Sequence, residues 1–295
     1  MSVALNRLQE RLRRDLYLPF AFRIAINSAK LPWQTAASDP DACAAALRGF
    51  QRRIQADAVV PWFDGWLEAE AAGAQVIRDE FGQVTGTPAP LSRLPRAEGF
   101  LEAPQIRHVL AVARALCTET REQSTVIACL TGIRTLALRL LGVRPLPNAS
   151  MEPAAIEIAQ SLARAYCEAG VGALVFAAEV PFIDAAEATH FAPLAEVARE
   201  YGVPAILLSR HPMSPSSEAA LHKIGIDRVT APGTRLSSIC ALPATMLRAA
   251  PQASDGWFRL QCDAKKAPRL FVSEWEVPLD ASVETMIALR DKVVA

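Results

Sequence analysis

The chain has no Cys-x-x-Cys pair, no tight cysteine cluster and no glycine-rich loop after its first apolar run. Its six cysteines, Cys43, Cys117, Cys129, Cys167, Cys240 and Cys262, are scattered over 295 residues. That spacing excludes a zinc ribbon or a dithiol redox motif and predicts reduced thiols. The segment TGIRT at 131–135 has a single glycine and cannot form a dinucleotide-binding turn. An excess of one charge is missing too, because 31 Lys and Arg balance 31 Asp and Glu. A nucleic-acid-binding face needs a basic surplus, so that class is not expected. No apolar run is long enough to span a bilayer. The N-terminal MSVALNRLQERLRRDLY is charged and amphipathic and lacks the apolar stretch of a signal peptide. Together these absences predict a soluble, cytoplasmic protein without nucleic-acid or membrane partners.

What is present is apolar sequence, 51% of the chain, enough for a large core. Eight short apolar runs suit buried parallel strands: 20–26, 56–61, 125–130, 173–176, 205–209, 227–230, 257–262 and 270–274. They are continuous, not alternating, as expected when both sheet faces are covered. Helical patterns lie between them at 41–55, 105–120, 133–141, 153–169, 191–201, 216–223 and 237–248, and a last one at 283–293 closes the chain. Pro153, Gly170, Gly202 and Gly225 stand where helix starts and stops favour proline and glycine. Alternating strands and helices without a long linker predict one α/β domain over 1–295, a single (β/α)8 TIM barrel. The stretch 81–100, rich in Gly, Pro and Thr, reads as a hairpin or lid inserted after the second strand. A doubly wound sheet is the alternative if the weak sixth and seventh strands fail.

In such a barrel, chemistry belongs to residues just past the C-terminal ends of strands. Asp64 follows the second run and precedes an alanine-rich helix that breaks at Gly73 before a further strand. It can cap that helix and also serve as an acid or base once desolvated. Glu179 and Glu274 directly follow the fourth and eighth runs, and Arg210 and His211 follow the fifth. Glu179 is the better acid–base candidate of the two carboxylates, and His211 can shuttle a proton. His211 with Glu274 is a remote metal pair, since two ligands do not make a zinc site. Trp62 and Trp66 flank Asp64 and could wall a planar substrate, while Arg134 and Arg210 are the cations placed at the mouth. Asp184 reads as the cap of a short helix, His190 as a surface residue and Cys129 as a small core hydrophobe.

Four segments carry a family resemblance: VVPWFDGWLEAEAAGAQV at 59–76, CLTGIRTLALRLLG at 129–142, YGVPAILLSRHPMS at 201–214 and EWEVPLDASVETMIALRDKV at 274–293. In order and spacing they resemble the uroporphyrinogen decarboxylases and the corrinoid-dependent methyltransferases that share their barrel. The methyltransferase branch is the nearer. The resemblance implies the same (β/α)8 fold. It also shows what is not kept. Where zinc-using methyltransferases hold a thiol-activating metal, this chain has Ser209, His211 and Trp275, so zinc is not expected. Asp64 stands where the decarboxylases have a pyrrole-binding aspartate. Their arginine-rich first loop is absent, and Arg23 lies inside the first apolar run.

The resemblance implies methyl transfer between a small methylated substrate, or tetrahydrofolate, and a corrinoid (cobalamin) carried by a separate corrinoid-binding protein. Asp64, Glu179 or His211 would protonate the leaving group, and Trp62, Trp66, Arg134, Arg210 and Glu274 would contact substrate. The alternatives are a decarboxylase or lyase acting on another carboxylic acid, and a non-catalytic barrel that serves as a partner subunit. The apolar fraction permits a homodimer.

Overall fold

The computed structural model describes residues 15–86, 99–120, 124–141, 151–182, 184–226, 228–230, 239–249 and 270–294. Within them the chain runs β1 (Leu16–Phe20), α1 (Arg23–Ser28), α2 (Trp33–Ala36), α3 (Pro40–Ile54), β2 (Ala58–Val59), α4 (Leu67–Ala71), α5 (Pro104–Thr120), β3 (Thr125–Thr131), α6 (Ile133–Leu141), α7 (Met151–Glu168) and β4 (Ala173–Ala178). A 3₁₀ turn at Ala185–Phe191 leads into α8 (Ala192–Glu200). Then come β5 (Ala205–Ser209), α9 (Pro215–Ile224), β6 (Arg228–Thr230), β7 (Ile239–Leu242), α10 (Ala244–Arg248), β8 (Leu270–Glu276) and α11 (Val283–Val294). It is an α/β fold.

All strand pairing is parallel, in a five-stranded sheet ordered β2-β3-β4-β5-β6 and a three-stranded sheet ordered β1-β8-β7. β1 packs beside β2 and β6 beside β7. Strands β4 and β5 are buried at every position, so apolar residues face both ways and no alternation marks them. Helix ends follow local chemistry. Asp39 caps α3 by accepting from the Asp41 and Ala42 amides, with Pro40 in the first turn. Ser214 caps α9, and Gly225 ends it in the left-handed region at φ 98°.

Four expectations need correction. The strand expected at 20–26 is β1, set earlier at Leu16–Phe20, and Arg23–Ser28 is helix α1. An apolar run buried on a helix face looks like a strand in sequence, and Ile24, Ala25 and Ile26 are buried in that way. The seventh strand is β7 within the helix expected at 237–248. Pro243, extended at ψ 144°, separates it from the short α10. The strand expected at 257–262 lies outside the described residues. After Gly73 there is no ladder strand, only a hairpin at 77–85 closed by the Arg78–Val84 bridge and by Thr85 N–H to the Ile77 carbonyl at 2.8 Å. That hairpin begins earlier than the insertion expected at 81–100, of which 87–98 lies outside the described residues. Gly82 is required there. It has φ +76°, and a Cβ would lie 2.3 Å from the Trp33 ring.

The five described cysteines are buried thiols outside any disulfide among the described residues, and Cys262 lies outside the described residues. Among the described residues, no helix is long and apolar enough to cross a membrane.

The two sheets are joined between β1 and β2 by one buried aspartate. The Asp57 amide donates to the Tyr17 carbonyl at 2.9 Å, and the Tyr17 amide donates to Asp57 Oδ2 at 2.9 Å. Replacing this carboxylate leaves a buried N–H unpaired, so Asp57→Ala is expected to lose about 1–3 kcal/mol in urea unfolding. A loss under 0.5 kcal/mol would mean the join does not depend on it.

Candidate active site

The C-terminal ends of the strands surround two adjoining cavities of about 830 and 310 Å³, both lined by Arg23, Gln83, Glu179, Arg210, Trp275 and Glu276. The larger also takes in Ser209, His211 and Glu274, and the smaller takes in Asp64, Gly65, Trp66 and Arg139. Residues of β5 and β8, and residues beyond the ends of β1, β2, β3 and β4, thus reach one rim.

The end of β8 builds one wall in an unusual way. Leu18 pairs with Val272, but Phe20 pairs with Glu276, so two steps on β1 match four on β8. A regular strand sends alternate side chains to opposite faces. The bulge breaks that alternation, and Glu274, Trp275 and Glu276 all line the larger cavity. The slip is pinned by Phe20 N–H to Ser273 Oγ at 2.9 Å and Val277 N–H to the Phe20 carbonyl at 2.9 Å.

Glu276 and Asp64 anchor a buried chain of charges. Glu276 Oε1 accepts from the Arg23 amide at 2.9 Å, and its other oxygen is ion-paired with the Arg23 guanidinium. Arg23 Nη2 lies 3.6 Å from Asp64 Oδ1. Arg78 Nη2 reaches Asp64 Oδ2 at 2.5 Å and Glu70 Oε2 at 2.6 Å, while its Nη1 donates to the Gly82 carbonyl at 2.8 Å. Asp64 Oδ1 also accepts from the Trp66 amide at 3.1 Å, which starts the turn into α4. Two guanidinium groups therefore share three carboxylates. Burial pushes Glu276 up to about 7; Arg23 opposes the rise and the charge of Asp64 adds to it.

Arg139 and Trp66 form the next part of the rim. The Arg139 guanidinium lies 4.6 Å from the Trp66 ring centroid and is ion-paired with Glu179 through Nη2. It can come this close because residue 65 is glycine. A Cβ there would lie 2.1 Å from Arg139 Nη1. Glu68, pushed up by burial, accepts from the Thr131 amide at 2.7 Å and the Thr131 hydroxyl at 2.6 Å, tying α4 to the end of β3.

Most of the expected site residues meet here, with altered partners. His211 Nε2 donates to the Glu179 carbonyl at 2.9 Å, so that nitrogen is already engaged. Ser209 and His211 close a tight turn, Ser209 Oγ donating to the His211 carbonyl at 2.9 Å. Glu274 accepts from the Ala244 amide at 2.9 Å at the start of α10. Arg210 lies 4.7 Å from the Trp275 centroid. No three His, Cys, Asp or Glu residues converge as metal ligands among the described residues.

Two expected residues lie elsewhere. Trp62 is buried against Phe22, Trp33 and His108, with centroids 4.6, 5.4 and 5.6 Å away, and it lines neither cavity. Asp64 and Trp66 line the smaller cavity together, whereas Trp62, two residues before Asp64, is packed away from it. Arg134 is directed at the Pro181 carbonyl and Glu187, at 2.9 and 3.2 Å, and also lies outside both cavities. Arg139, further along the same helix, takes the place expected for it. Asp184 caps the 3₁₀ turn by accepting from the Ala186 and Glu187 amides.

The raised pKa of Glu276 has a definite sign for stability. The folded state holds its proton to higher pH than the unfolded state, so stability is full below the ordinary carboxylate value of 4.5 and falls as pH rises to about 7. The span corresponds to about 3 kcal/mol at most. In chemical unfolding, Glu276→Gln is expected to be more stable relative to the parent at pH 8 than at pH 5. An equal difference at both values would show that Glu276 is ionised throughout.

No family model matches the sequence, and no curated protein matches it. Solved structures do match. One is a methyltransferase from Methanosarcina mazei, 14% identical, with a TM-score of 0.78 over 99% of this chain and 98% of that one. At that identity the likeness establishes a shared fold.

Proposed function

We propose that the chain is a corrinoid-dependent methyltransferase of the cytoplasm, built on a closed (β/α)8 barrel. The sequential strand order and the packing of β1 on β2 and β6 on β7 support closure. One observation carries the activity: a carboxylic acid with a value of about 7 borders an open cavity of about 830 Å³ and is paired with a guanidinium. Removing a methyl group from an oxygen leaves an alkoxide or phenolate that needs a proton as it forms. Glu276 holds that proton near neutral pH. We assign the acid role to Glu276 in place of Asp64, Glu179 and His211 because burial pushes its carboxyl up to about 7.

A corrinoid, when bound, supplies the cobalt nucleophile that accepts the methyl group. A corrin ring with its side chains is larger than this cavity, so the residues fit a corrinoid presented across the mouth by a partner protein, with the methyl donor inside. Asp64 and Arg78 hold Arg23 against Glu276. As the carbon–oxygen bond breaks, its electron pair stays on oxygen, and the Glu276 proton moves there to give the alcohol or phenol. The Glu276 carboxylate that remains is stabilised by Arg23. Tetrahydrofolate as the methyl partner is the variant of this scheme in which a pterin enters the cavity. A lyase acting on a carboxylic acid is the second reading, favoured by Arg210, a cavity cation that has no ion pair among the described residues.

Incubation with cob(I)alamin and methyl ethers tests the proposal through the absorbance change to methylcobalamin. Formation of methylcobalamin is expected, at a rate steady below pH 7 and falling about tenfold per pH unit above it as the acid ionises. Glu276→Gln should slow it by about 10²–10⁴-fold. No methylcobalamin from ether, amine or thioether donors, with carbon dioxide released from a carboxylated compound, would establish the lyase instead.

A further inference from the structure

Four guanidinium groups and five carboxylates line the two cavities, and one of the guanidinium groups stands apart from the carboxylates. Arg23 is matched by Glu276, Arg139 by Glu179, and Arg248 by Asp280 at 2.8 Å, while Glu274 caps a helix. Arg210 lines both cavities, and among the described residues no carboxylate pairs with it. It is nevertheless held in place, its guanidinium 4.7 Å from the Trp275 centroid. A stacked guanidinium presents its N–H edges in a fixed plane that suits a two-oxygen anion.

A second, independent feature points the same way. The Arg139 side chain is only 8% exposed, and among the described residues its buried Nη1 has no hydrogen-bond partner. Leaving such a charged donor unmet is costly. Arg139 borders the smaller cavity together with Arg210, and also a void of about 10 Å³ that it shares with Asp64, Thr131 and Glu179. A void of that size takes about one oxygen atom or water. Two indole rings, Trp66 against Arg139 and Trp275 against Arg210, line the smaller cavity with the two guanidinium groups.

We infer that Arg210 and Arg139 form a clamp for a single carboxylate on the substrate, so that the cavity selects monoanionic, planar methyl donors over neutral ones. The inference rests on the methyl-transfer reading for the ligand being a methyl donor, while the anion site itself is argued from Arg210, which no carboxylate pairs with among the described residues, and from the unmet Nη1 of Arg139. Arg210 is the specificity-determining residue, and Arg139 is the buried half of the clamp.

Benzoate and its neutral isostere benzamide are suitable probes, measured by calorimetric titration of the purified full-length chain. Benzoate is expected to bind at least tenfold more tightly than benzamide. Arg210→Gln should weaken benzoate by about ten- to a hundredfold, the range of a lost charge-assisted pair, and leave benzamide unchanged. Arg210→Lys should restore part of the loss. Because Arg210 is exposed, the melting temperature of either variant should stay within a degree or two of the parent, and Arg139→Gln serves as the second variant. Equal affinity for the two probes, no binding of either, or an Arg210→Gln chain that binds benzoate normally would each overturn the clamp. None of these readouts needs turnover. Anion selectivity without methylcobalamin formation would sink the methyl-transfer reading alone, and methylcobalamin formation without selectivity would sink only the clamp.

Discussion

Everything at the rim depends on how Arg23 is held. Its backbone amide and its guanidinium both engage Glu276, and Asp64 lies 3.6 Å from the same group. Breaking a buried ion pair by deleting one partner costs about 3–5 kcal/mol, while an apolar pair of the same shape is often as stable. A core built for stability alone has no need of five charges at Arg23, Asp64, Glu70, Arg78 and Glu276. Their presence makes sense as a device for holding one proton. With three carboxylates and two guanidinium groups, the cluster carries an extra negative charge in a poorly hydrated place. The group that relieves it is Glu276, which burial pushes up and whose neighbour Asp64 adds to the rise.

The fold supplies that arrangement by irregularity at a strand end. β8 gains two residues against β1 between Val272 and Glu276. Without the slip, Glu274 would lie opposite Phe20, Glu276 would lie past the last pairing, and Trp275 would face away from its two neighbours. The 77–85 hairpin is tied into the same cluster. Arg78 spans from its own turn, at the Gly82 carbonyl, to Asp64 and Glu70, and Gly82 lies against Trp33 in a way that only glycine permits. The hairpin is therefore a fixed side of the cavity, and Gln83 lines both parts of it.

Much of this was legible in the sequence, and the failures share a cause. Asp64, Glu179, Arg210, His211 and Glu274 were found because each stands within two or three residues of an apolar run, and parallel strands deliver such residues to one rim. Glu276 escaped because the eighth run was ended at 274 and a bulge leaves no compositional mark. Arg23 was read into a strand because a helix buried on one face and a strand buried on both look alike over six residues. Arg78 and Arg139 reach the site across 14 and 40 residues of sequence, to Asp64 and Glu179 respectively. Tertiary reach of that kind cannot be read from local spacing. Trp62 was the opposite error. Proximity to Asp64 in sequence was taken for proximity in space, whereas the indole belongs to the aromatic layer with Phe22 and Trp33.

The acid and the anion clamp also bear on each other. Arg210 and Glu276 line the same two cavities, so a cation with no carboxylate partner among the described residues faces the space that Glu276 borders. A carboxylate bound at Arg210 and Arg139 would neutralise that cation and place a new negative charge in the cavity. Both changes disfavour ionisation of Glu276 and hold its proton more firmly. Productive binding would then arm the acid, whereas a neutral ligand of the same shape would fill the cavity without doing so. Under that coupling, substrate charge is read twice, once in affinity and again in the protonation state of the group that completes the reaction. The second reading would separate substrates even where the contacts alone discriminate weakly.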